Sequence, residues 1–256
     1  MTPASTPTSD ETCDDFLGGR VRLVQPAKGY RAGVDPVLLA AATGAQAGQQ
    51  ILELGCGAGA ASLCLNARVS GLSFVGIEMQ AEYAGLARRN AQANGAAMQV
   101  IEADLRHLPP EVKARRFDHV IANPPYYQRG KSTSAQDAGR DVALGGDTPL
   151  AAWVDVAARR LAPKGYLTMI QKADRLPDVL GALSGRLGSV RVLPVQPRVA
   201  RPAQLVIVQA RKGGRADFVL QAPLMMHAGA HHERDADSYT PQVSGILRNA
   251  QAIAWA

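Results

Sequence analysis

The sequence has few of the residues that build a membrane anchor, a disulfide framework or a metal site. No apolar run in it approaches the ~18 residues that a membrane-spanning helix needs. Residues 1–14 are polar and lack the basic and apolar regions of a signal peptide. The three cysteines, at positions 13, 56 and 64, match no metal-binding spacing. These absences predict a cytoplasmic protein with reduced thiols and no membrane anchor.

Histidine is scarce as well, and three of the five histidines lie close together near the C-terminus. His227, His231 and His232 are followed by Glu233 in a polar segment that is rich in glycine and alanine. No second cluster of ligands accompanies them, so we interpret this segment as a surface loop and predict no metal site.

The length and charge of the chain set its domain organisation and the class of partner. A chain of 256 residues with 46% hydrophobic residues suits one α/β domain with a modest extension. We predict a disordered leader at residues 1–14 and a single domain at 15–256, with an N-terminal segment at 15–48 and a core at 49–256. The formal net charge of +6 favours an anionic partner such as RNA. The oligomeric state stays open.

A strand-like run at residues 117–122 is followed at once by Asn123-Pro124-Pro125-Tyr126-Tyr127. Two prolines cannot continue a strand or a helix, so the backbone leaves the strand in a fixed, extended shape. The Asn123 amide oxygen and the Pro124 carbonyl can accept hydrogens from a flat amino group, while a tyrosine ring covers its plane. The motif therefore predicts a pocket for the exocyclic amine of a nucleobase or for a side-chain amide.

A second motif is an apolar strand at residues 51–54 that runs into alternating glycines, Gly55, Gly57 and Gly59. Glycine at these positions lets a ligand approach the backbone closely and lets the chain turn tightly into a helix. The first two glycines and Ala60 also fit the pattern of dinucleotide-binding enzymes. A nicotinamide-dependent oxidoreductase is therefore an alternative at this point.

Acidic residues mark the ends of three successive predicted strands: Glu53, Glu78 and Asp104. Glu53 lies within its strand and needs a partner, which the cationic head of a ligand would supply. Glu78 is placed to accept both hydroxyl groups of a ribose, because it ends the second strand of a βαβ unit. Asp104 can accept the amino group of an adenine ring. Together the three carboxylates predict a nucleoside site.

These motifs together resemble the Rossmann-like S-adenosylmethionine-dependent methyltransferases, and the N-P-P-Y form resembles the branch that methylates planar amino groups. Residues 15–35, which include Gly29-Tyr30-Arg31-Ala32-Gly33-Val34-Asp35, resemble more narrowly the tRNA adenine-N6 methyltransferases that act at position 37 of a valine tRNA. The resemblance implies N6-methylation of an adenine in RNA, at an anticodon-loop position of this type, with S-adenosylmethionine as cofactor.

The resemblance also implies a role for individual residues. The residues expected to act in catalysis are Asn123, Pro124, Pro125 and Tyr126. The residues expected to bind the cofactor are Arg31, Glu53, Gly55, Cys56, Gly57, Gly59, Glu78, Met79, Asp104, Leu105 and Asn123. Arg31 would face the carboxylate of the cofactor. Cys56 departs from the family pattern and would contribute only a backbone contact.

The fold that the resemblance implies is α/β, a Rossmann-like, mostly parallel sheet of seven strands with helices on both faces. Strands at residues 190–195 and 205–208 are interpreted as its terminal antiparallel hairpin. Asp35 precedes Pro36 and is predicted to cap the helix that begins there.

Contacts to the substrate are expected from a long polar loop at residues 128–147 and from basic residues near the terminal hairpin. The residues expected to make them are Tyr127, Arg129, Lys131, Arg198 and Arg201. Two further substrates of the same chemistry stay open, the N2 amine of guanine in RNA and the side-chain amide of a protein glutamine.

Overall fold

The computed structural model describes residues 7–126, 148–229 and 238–255. Its strands are β1 (Glu11–Phe16), β2 (Val21–Pro26), β3 (Gln50–Leu54), β4 (Ser73–Glu78), β5 (Met98–Glu102), β6 (Phe117–Ala122), β7 (Leu161–Lys172), β8 (Gly188–Gln196), β9 (Leu205–Arg211), β10 (Val219–Leu220) and β11 (Leu224–Met225). Its helices are α1 (Asp35–Ala42), α2 (Ala60–Arg68), α3 (Ala81–Ala93), α4 (Pro110–Lys113), α5 (Leu150–Arg160), α6 (Leu176–Leu183) and α7 (Pro241–Asn249).

The main sheet has the Rossmann-like arrangement. Within the described ranges its strands follow the order β10-β8-β9-β7-β6-β3-β4-β5, and β11 also pairs with β8. Strands β5, β4, β3, β6 and β7 are parallel to their neighbours in this series, whereas β9 is antiparallel to both β7 and β8. This arrangement confirms the predicted fold class and its terminal antiparallel hairpin. The two-residue strands β10 and β11 widen the sheet beyond the expected seven strands.

The central strands are hydrophobic because helices cover both faces of the sheet. On one face α1, α2, α3 and α7 pack with the β1–β2 hairpin over Ile51, and on the other face α5 and α6 pack over Leu52 and Leu54. Helix α5 illustrates the pattern, since its buried residues recur at helical spacing: Leu150, Trp153, Val154 and Ala157. Because the central strands are parallel, their carboxyl ends lie together at one edge of the sheet.

The β1–β2 hairpin corrects part of the expected disordered leader at residues 1–14, namely residues 11–14. The first six residues lie outside the described part of the chain, but Glu11–Phe16 forms β1 and pairs antiparallel with β2. The polar composition was misleading because the partners of this segment come from later in the chain. Asp14 forms an ion pair with Arg31 at 2.7 Å, and the half-buried Phe16 packs against the core.

No helix in the described ranges is long and apolar enough to cross a membrane. The same ranges contain no group of three or more His, Cys, Asp or Glu residues that could hold a metal ion. Of the segment interpreted as a surface loop, residues 230–237 lie outside the described part of the chain. The ring of His227, at its start, stacks on Tyr239 with 4.8 Å between the ring centroids.

Candidate active site

The carboxyl ends of β3, β4, β5 and β6 border one cavity. The space between these strand ends is about 930 Å³ when its open, solvent-filled part is included. Parallel strands end at the same sheet edge, so residues far apart in sequence converge there. Ten of the residues predicted from the sequence line this cavity: Gly55, Gly57, Glu78, Met79, Asp104, Leu105, Asn123, Pro124, Pro125 and Tyr126.

The glycine loop brings the backbone to the cavity. Gly55 and Gly57 adopt left-handed conformations, with φ of 63° and 54°, which favour glycine. A Cβ atom at Gly55 would lie 2.6 Å from the Trp153 ring, so this position also lacks room for a side chain. The amide of Asn90, which is fully buried, donates hydrogen bonds to the carbonyls of Ala58 at 3.0 Å and of Val24 at 2.9 Å. These contacts fix the loop against α3 and the hairpin.

Glu78 is the carboxylate best arranged to accept a pair of hydroxyl groups. It ends β4 and is 7% exposed. Its Oε2 atom accepts a hydrogen bond from the Gly57 N–H at 2.9 Å, and Oε1 accepts one from the Gln80 N–H at 2.9 Å. A carboxylate oxygen can accept two hydrogen bonds, so each keeps acceptor capacity for a ligand. The two backbone contacts hold the carboxylate in one orientation at the cavity.

Asp104 also lines the cavity, and its carboxylate is engaged by Arg106. The Arg106 Nε atom lies 2.9 Å from Oδ2, and the Arg106 backbone N–H donates to Oδ1 at 2.8 Å. The hydrogen bonds from the Arg106 guanidinium hold the pKa of Asp104 below its usual range. Asp104 therefore stays an ionised acceptor, and the Arg106 backbone and guanidinium together contact both of its oxygens.

Asn123, Pro124, Pro125 and Tyr126 follow β6 and share the lining with Glu78 and Asp104. The Asn123 amide nitrogen donates to the Tyr30 hydroxyl at 3.3 Å, which leaves the amide oxygen as the acceptor for a ligand. The Pro124 carbonyl accepts a long hydrogen bond from Gln171 at 3.4 Å and keeps a second lone pair. The Tyr126 hydroxyl donates to Asp35 at 2.5 Å. Two acceptors and an aromatic ring thus line the same cavity.

Glu53 differs from the sequence-based expectation. It is 3% exposed, does not line the cavity, and accepts hydrogen bonds from the Ser62 N–H at 3.1 Å and from the Ser62 hydroxyl. Burial raises the pKa of Glu53 to about 8, so the side chain is mostly protonated at neutral pH. The partner expected from a cationic ligand is instead supplied by the start of α2.

Three other residues predicted to bind the cofactor lie outside the lining. Arg31 donates to Asp14 at 2.7 Å and to the Pro26 carbonyl at 3.1 Å, so in this structure it holds the hairpin and does not face the cavity. The Cys56 side chain is buried in a small cluster of alanine and valine side chains. Gly59 has φ of 90° and precedes α2, where it lets the chain turn into the helix.

The five residues expected to contact the substrate divide into three cases. Arg198 is 8% exposed, and its guanidinium donates to the Ala228 carbonyl at 2.5 Å and to the Ser238 hydroxyl at 2.9 Å. This corrects its predicted contact with RNA, because the group joins two segments of the protein. Arg201 is exposed. Tyr127, Arg129 and Lys131 lie outside the described residues.

Some lining residues were missed by the sequence analysis: Tyr30, Ile77, Gln80, Tyr83, Ala103, Thr148 and Trp153. Tyr30 had a signal, since it belongs to the N-terminal motif next to Arg31. Trp153 had none, because its place in the buried face of α5 says nothing about the Gly55 backbone that it touches. Asp35 was predicted to cap α1, but no side chain caps this helix, and its carboxylate binds Tyr126 instead.

Comparison with known proteins decides the family. The family model described as the methyltransferase small domain matches residues 34–196 of the chain. The chain belongs to the methyltransferase small domain family. The matched residues include the glycine loop, Glu78, Asp104 and the Asn123–Tyr126 motif. The enzyme class and the cofactor predicted from these motifs are thereby confirmed: the protein is an S-adenosylmethionine-dependent methyltransferase. The nicotinamide-dependent alternative is wrong.

Individual relatives narrow the comparison. The tRNA1(Val) (adenine(37)-N6)-methyltransferase of Porphyromonas gingivalis strain W83 is 33% identical over 196 residues, which cover 71% of this chain and 76% of that protein. A 4-amino-L-phenylalanine/4-methylamino-L-phenylalanine methyltransferase of Streptomyces pristinaespiralis is 33% identical over 141 residues, covering 50% of this chain and 46% of its own.

A solved structure supports the fold over most of the chain. A protein of Agrobacterium tumefaciens described as a predicted O-methyltransferase superposes with a TM-score of 0.68 at 28% identity. The superposition covers 86% of this chain and 99% of that protein. The family and the architecture of the methyltransferase are therefore supported independently by sequence and by structure.

Proposed function

We propose that this methyltransferase transfers a methyl group to the N6 atom of an adenine in tRNA, at position 37 of the anticodon loop of a valine tRNA. The observation that carries the proposal is the Asn123-Pro124-Pro125-Tyr126 motif, which shares one cavity with Glu78 and Asp104. The named activity of the P. gingivalis relative supports the substrate. We assign the activity to a single domain, residues 15–256, because Tyr30 and Trp153 line the same cavity.

The cofactor half of the cavity is assigned to the glycine loop and the two carboxylates. Glu78 would accept the two ribose hydroxyls, since its carboxylate is already oriented by two backbone N–H groups. Asp104 would accept the amino group of the cofactor's adenine, and Met79 and Leu105 would border its ring. S-adenosylmethionine supplies the methyl group on an activated sulfonium.

The substrate half is assigned to the Asn123–Tyr126 motif. The N6 amine is a poor nucleophile because its lone pair is delocalised into the purine ring. Hydrogen bonds from this amine to the Asn123 oxygen and the Pro124 carbonyl would favour a pyramidal nitrogen with a localised lone pair. The Tyr126 ring would stack on the base and hold the nitrogen about 3 Å from the methyl carbon. No general base is required, because the nitrogen becomes cationic on methylation and can then release its proton to water.

The choice of an anticodon loop within RNA rests on energetics, and the choice of a polyanionic substrate rests on charge. A base in an anticodon loop leaves its stack at a lower cost than a base in a duplex. The net charge of +6 favours a polyanionic substrate. Because tRNA is the substrate, we place the enzyme in the cytoplasm. A small aromatic amine, as in the name of the S. pristinaespiralis relative, is the competing substrate of the same chemistry.

The proposal is tested with labelled S-adenosylmethionine and bulk unmodified tRNA, digested to nucleosides and analysed by mass spectrometry. We expect N6-methyladenosine. Detection of N2-methylguanosine would show that the target base is guanine and not adenine. The absence of any methylated nucleoside would overturn the proposal and direct the search to protein glutamine or to a small aromatic amine.

The same assay tests the division of labour within the cavity. Asn123→Ala is expected to lower transfer by about 100-fold or more, because the amine loses its acceptor and its alignment. Cofactor binding, measured by calorimetry, is expected to survive. Asn94→Ala is the matched control, since that amide binds the Arg22 carbonyl at 2.8 Å and does not line the cavity. Equal loss of transfer and of cofactor binding in Asn123→Ala would contradict the assignment.

A further inference from the structure

Residues 30–35, the segment just before the body of α1, contact both ends of the Asn123–Tyr126 motif. The Tyr126 hydroxyl donates a hydrogen bond to Asp35 Oδ2 at 2.5 Å. The Asn123 Nδ2 atom donates to the Tyr30 hydroxyl at 3.3 Å. Both bonds reach a loop more than 90 residues away in sequence, so neither belongs to the local structure of residues 30–35.

Asp35 is held for this contact by the helix that follows it. All seven later residues of α1, from Pro36 to Ala42, are buried, so the helix has little freedom to move. The Asp35 carboxylate makes no cap at the start of the helix. Burial raises the pKa of Tyr126, and the Asp35 charge raises it further, so the phenol stays a protonated donor. Burial raises the pKa of Asp35 and the hydrogen bond from Tyr126 opposes that shift, so this bond favours the carboxylate form, which only accepts.

The segment itself is attached to the rest of the fold at several points. The Tyr30 carbonyl accepts a hydrogen bond from the Tyr83 hydroxyl of α3 at 2.9 Å. The Ala32 N–H donates to Gln25 of β2 at 2.7 Å, and Arg31 donates to Asp14 of β1. These contacts make the 30–35 segment a fixed support and not a free linker. Through these contacts β1, β2 and α3 hold residues 30–35 next to the Asn123–Tyr126 motif.

We propose that Asp35 and Tyr30 are positioning residues for methyl transfer: Asp35 fixes the plane of the Tyr126 ring, and Tyr30 engages the Asn123 nitrogen so that the amide oxygen receives the target amine. The inference rests on the proposed function, because it takes Tyr126 and Asn123 as the residues that hold the base. An anchor at the hydroxyl oxygen restricts rotation about the Cα–Cβ bond, and because a phenol O–H prefers to lie in the plane of its ring, the direction of this hydrogen bond also favours one ring plane. Alignment matters because a misplacement of about 1 Å lowers transfer by about 100-fold.

The test is a double-mutant cycle on the rate of transfer to tRNA. Asp35→Ala and Tyr126→Phe each remove one partner of the same hydrogen bond, so each is expected to lower kcat by about 10- to 100-fold. The cofactor Kd should change by less than about three-fold in both. The double variant should be no slower than the slower single variant, because the bond can be lost only once. Tyr30→Phe should likewise lower kcat more than it raises the KM for tRNA.

Two controls separate positioning from a general loss of structure. Asp118→Asn removes a carboxylate that accepts from the Gln50 N–H at 2.9 Å at the opposite end of the sheet, and it should leave kcat unchanged. Asp35→Asn keeps an acceptor oxygen and should recover part of the activity lost in Asp35→Ala. Multiplicative effects in the double variant, or a loss of kcat in Asp35→Ala that Asp35→Asn does not relieve, would overturn the inference.

A readout without RNA distinguishes failure of the inference from failure of the proposed function. With tyrosines labelled at Cζ, the Tyr126 resonance is identified by its absence in Tyr126→Phe. We expect its chemical shift to change in Asp35→Ala and to stay in place in Asp118→Asn. If the wild type methylates no tRNA, the proposed substrate is wrong, and the resonance alone decides the Asp35 contact. An unmoved resonance in Asp35→Ala would refute the contact even in an active enzyme.

Discussion

Replacing Glu53 with glutamine should remove a pH dependence of the free energy of unfolding that arises because Glu53 is buried in β3. Glu53 is 3% exposed, and its hydrogen-bond donors both belong to Ser62. Burial raises its pKa to about 8, from the ordinary value of 4.5. The folded protein therefore holds this proton more tightly than the unfolded chain does. The free energy of unfolding falls as the pH rises above about 4.5, and the loss is complete once the pH has passed about 8.

The magnitude follows from the separation of the two pKa values. At about 1.4 kcal/mol per unit of pKa, the separation corresponds to about 5 kcal/mol between acidic and alkaline solution. Glutamine has nearly the same shape and keeps an oxygen that accepts from Ser62, but it does not ionise. Glu53→Gln should therefore match the wild type at low pH and exceed its stability at high pH.

The assay is urea unfolding followed by circular dichroism from about pH 5 to about pH 9, an interval that covers most of the range between the two pKa values and passes the folded-state value. The free energy of unfolding of the wild type should fall by several kcal/mol more than that of Glu53→Gln over this range. Glu102→Gln, an exposed carboxylate at the end of β5, is the matched control and should follow the wild type. Parallel curves for the wild type and Glu53→Gln would refute the reasoning.

Three further predictions concern the cavity and its surroundings. Glu78→Ala should raise the cofactor Kd by about 10- to 100-fold in calorimetry, because it removes an oriented charged acceptor; an unchanged Kd would remove Glu78 from the ribose role. Gly55→Ala should lower the free energy of unfolding by about 1–3 kcal/mol more than Gly57→Ala, since both have positive φ but only the first meets the Trp153 ring; equal effects would show that the contact is harmless. Arg198→Ala should lower the melting temperature without raising the KM for tRNA, because its guanidinium joins two parts of the protein; a stable variant with a raised KM would restore its contact with RNA.

The sequence was sufficient to predict the fold class, the terminal hairpin and most of the cavity lining. The reason is that the informative residues sit at strand ends. Local patterns such as the apolar run before Gly55 and the prolines after β6 mark where a strand stops, and parallel strands stop at one edge of a sheet. Glu78, Asp104 and Asn123 could therefore be placed together although their separate strands give no direct measure of distance.

Only the tertiary structure decided which partner each polar side chain has. Glu53 was expected to meet a ligand and binds Ser62, Arg31 was expected at the cofactor and binds Asp14, and Asp35 was expected to cap α1 and binds Tyr126. Strand and helix patterns repeat over a few residues, whereas Asp35 and Tyr126 are 91 positions apart. A hydrogen bond needs two atoms within about 3 Å, and that distance is set by packing and not by local periodicity.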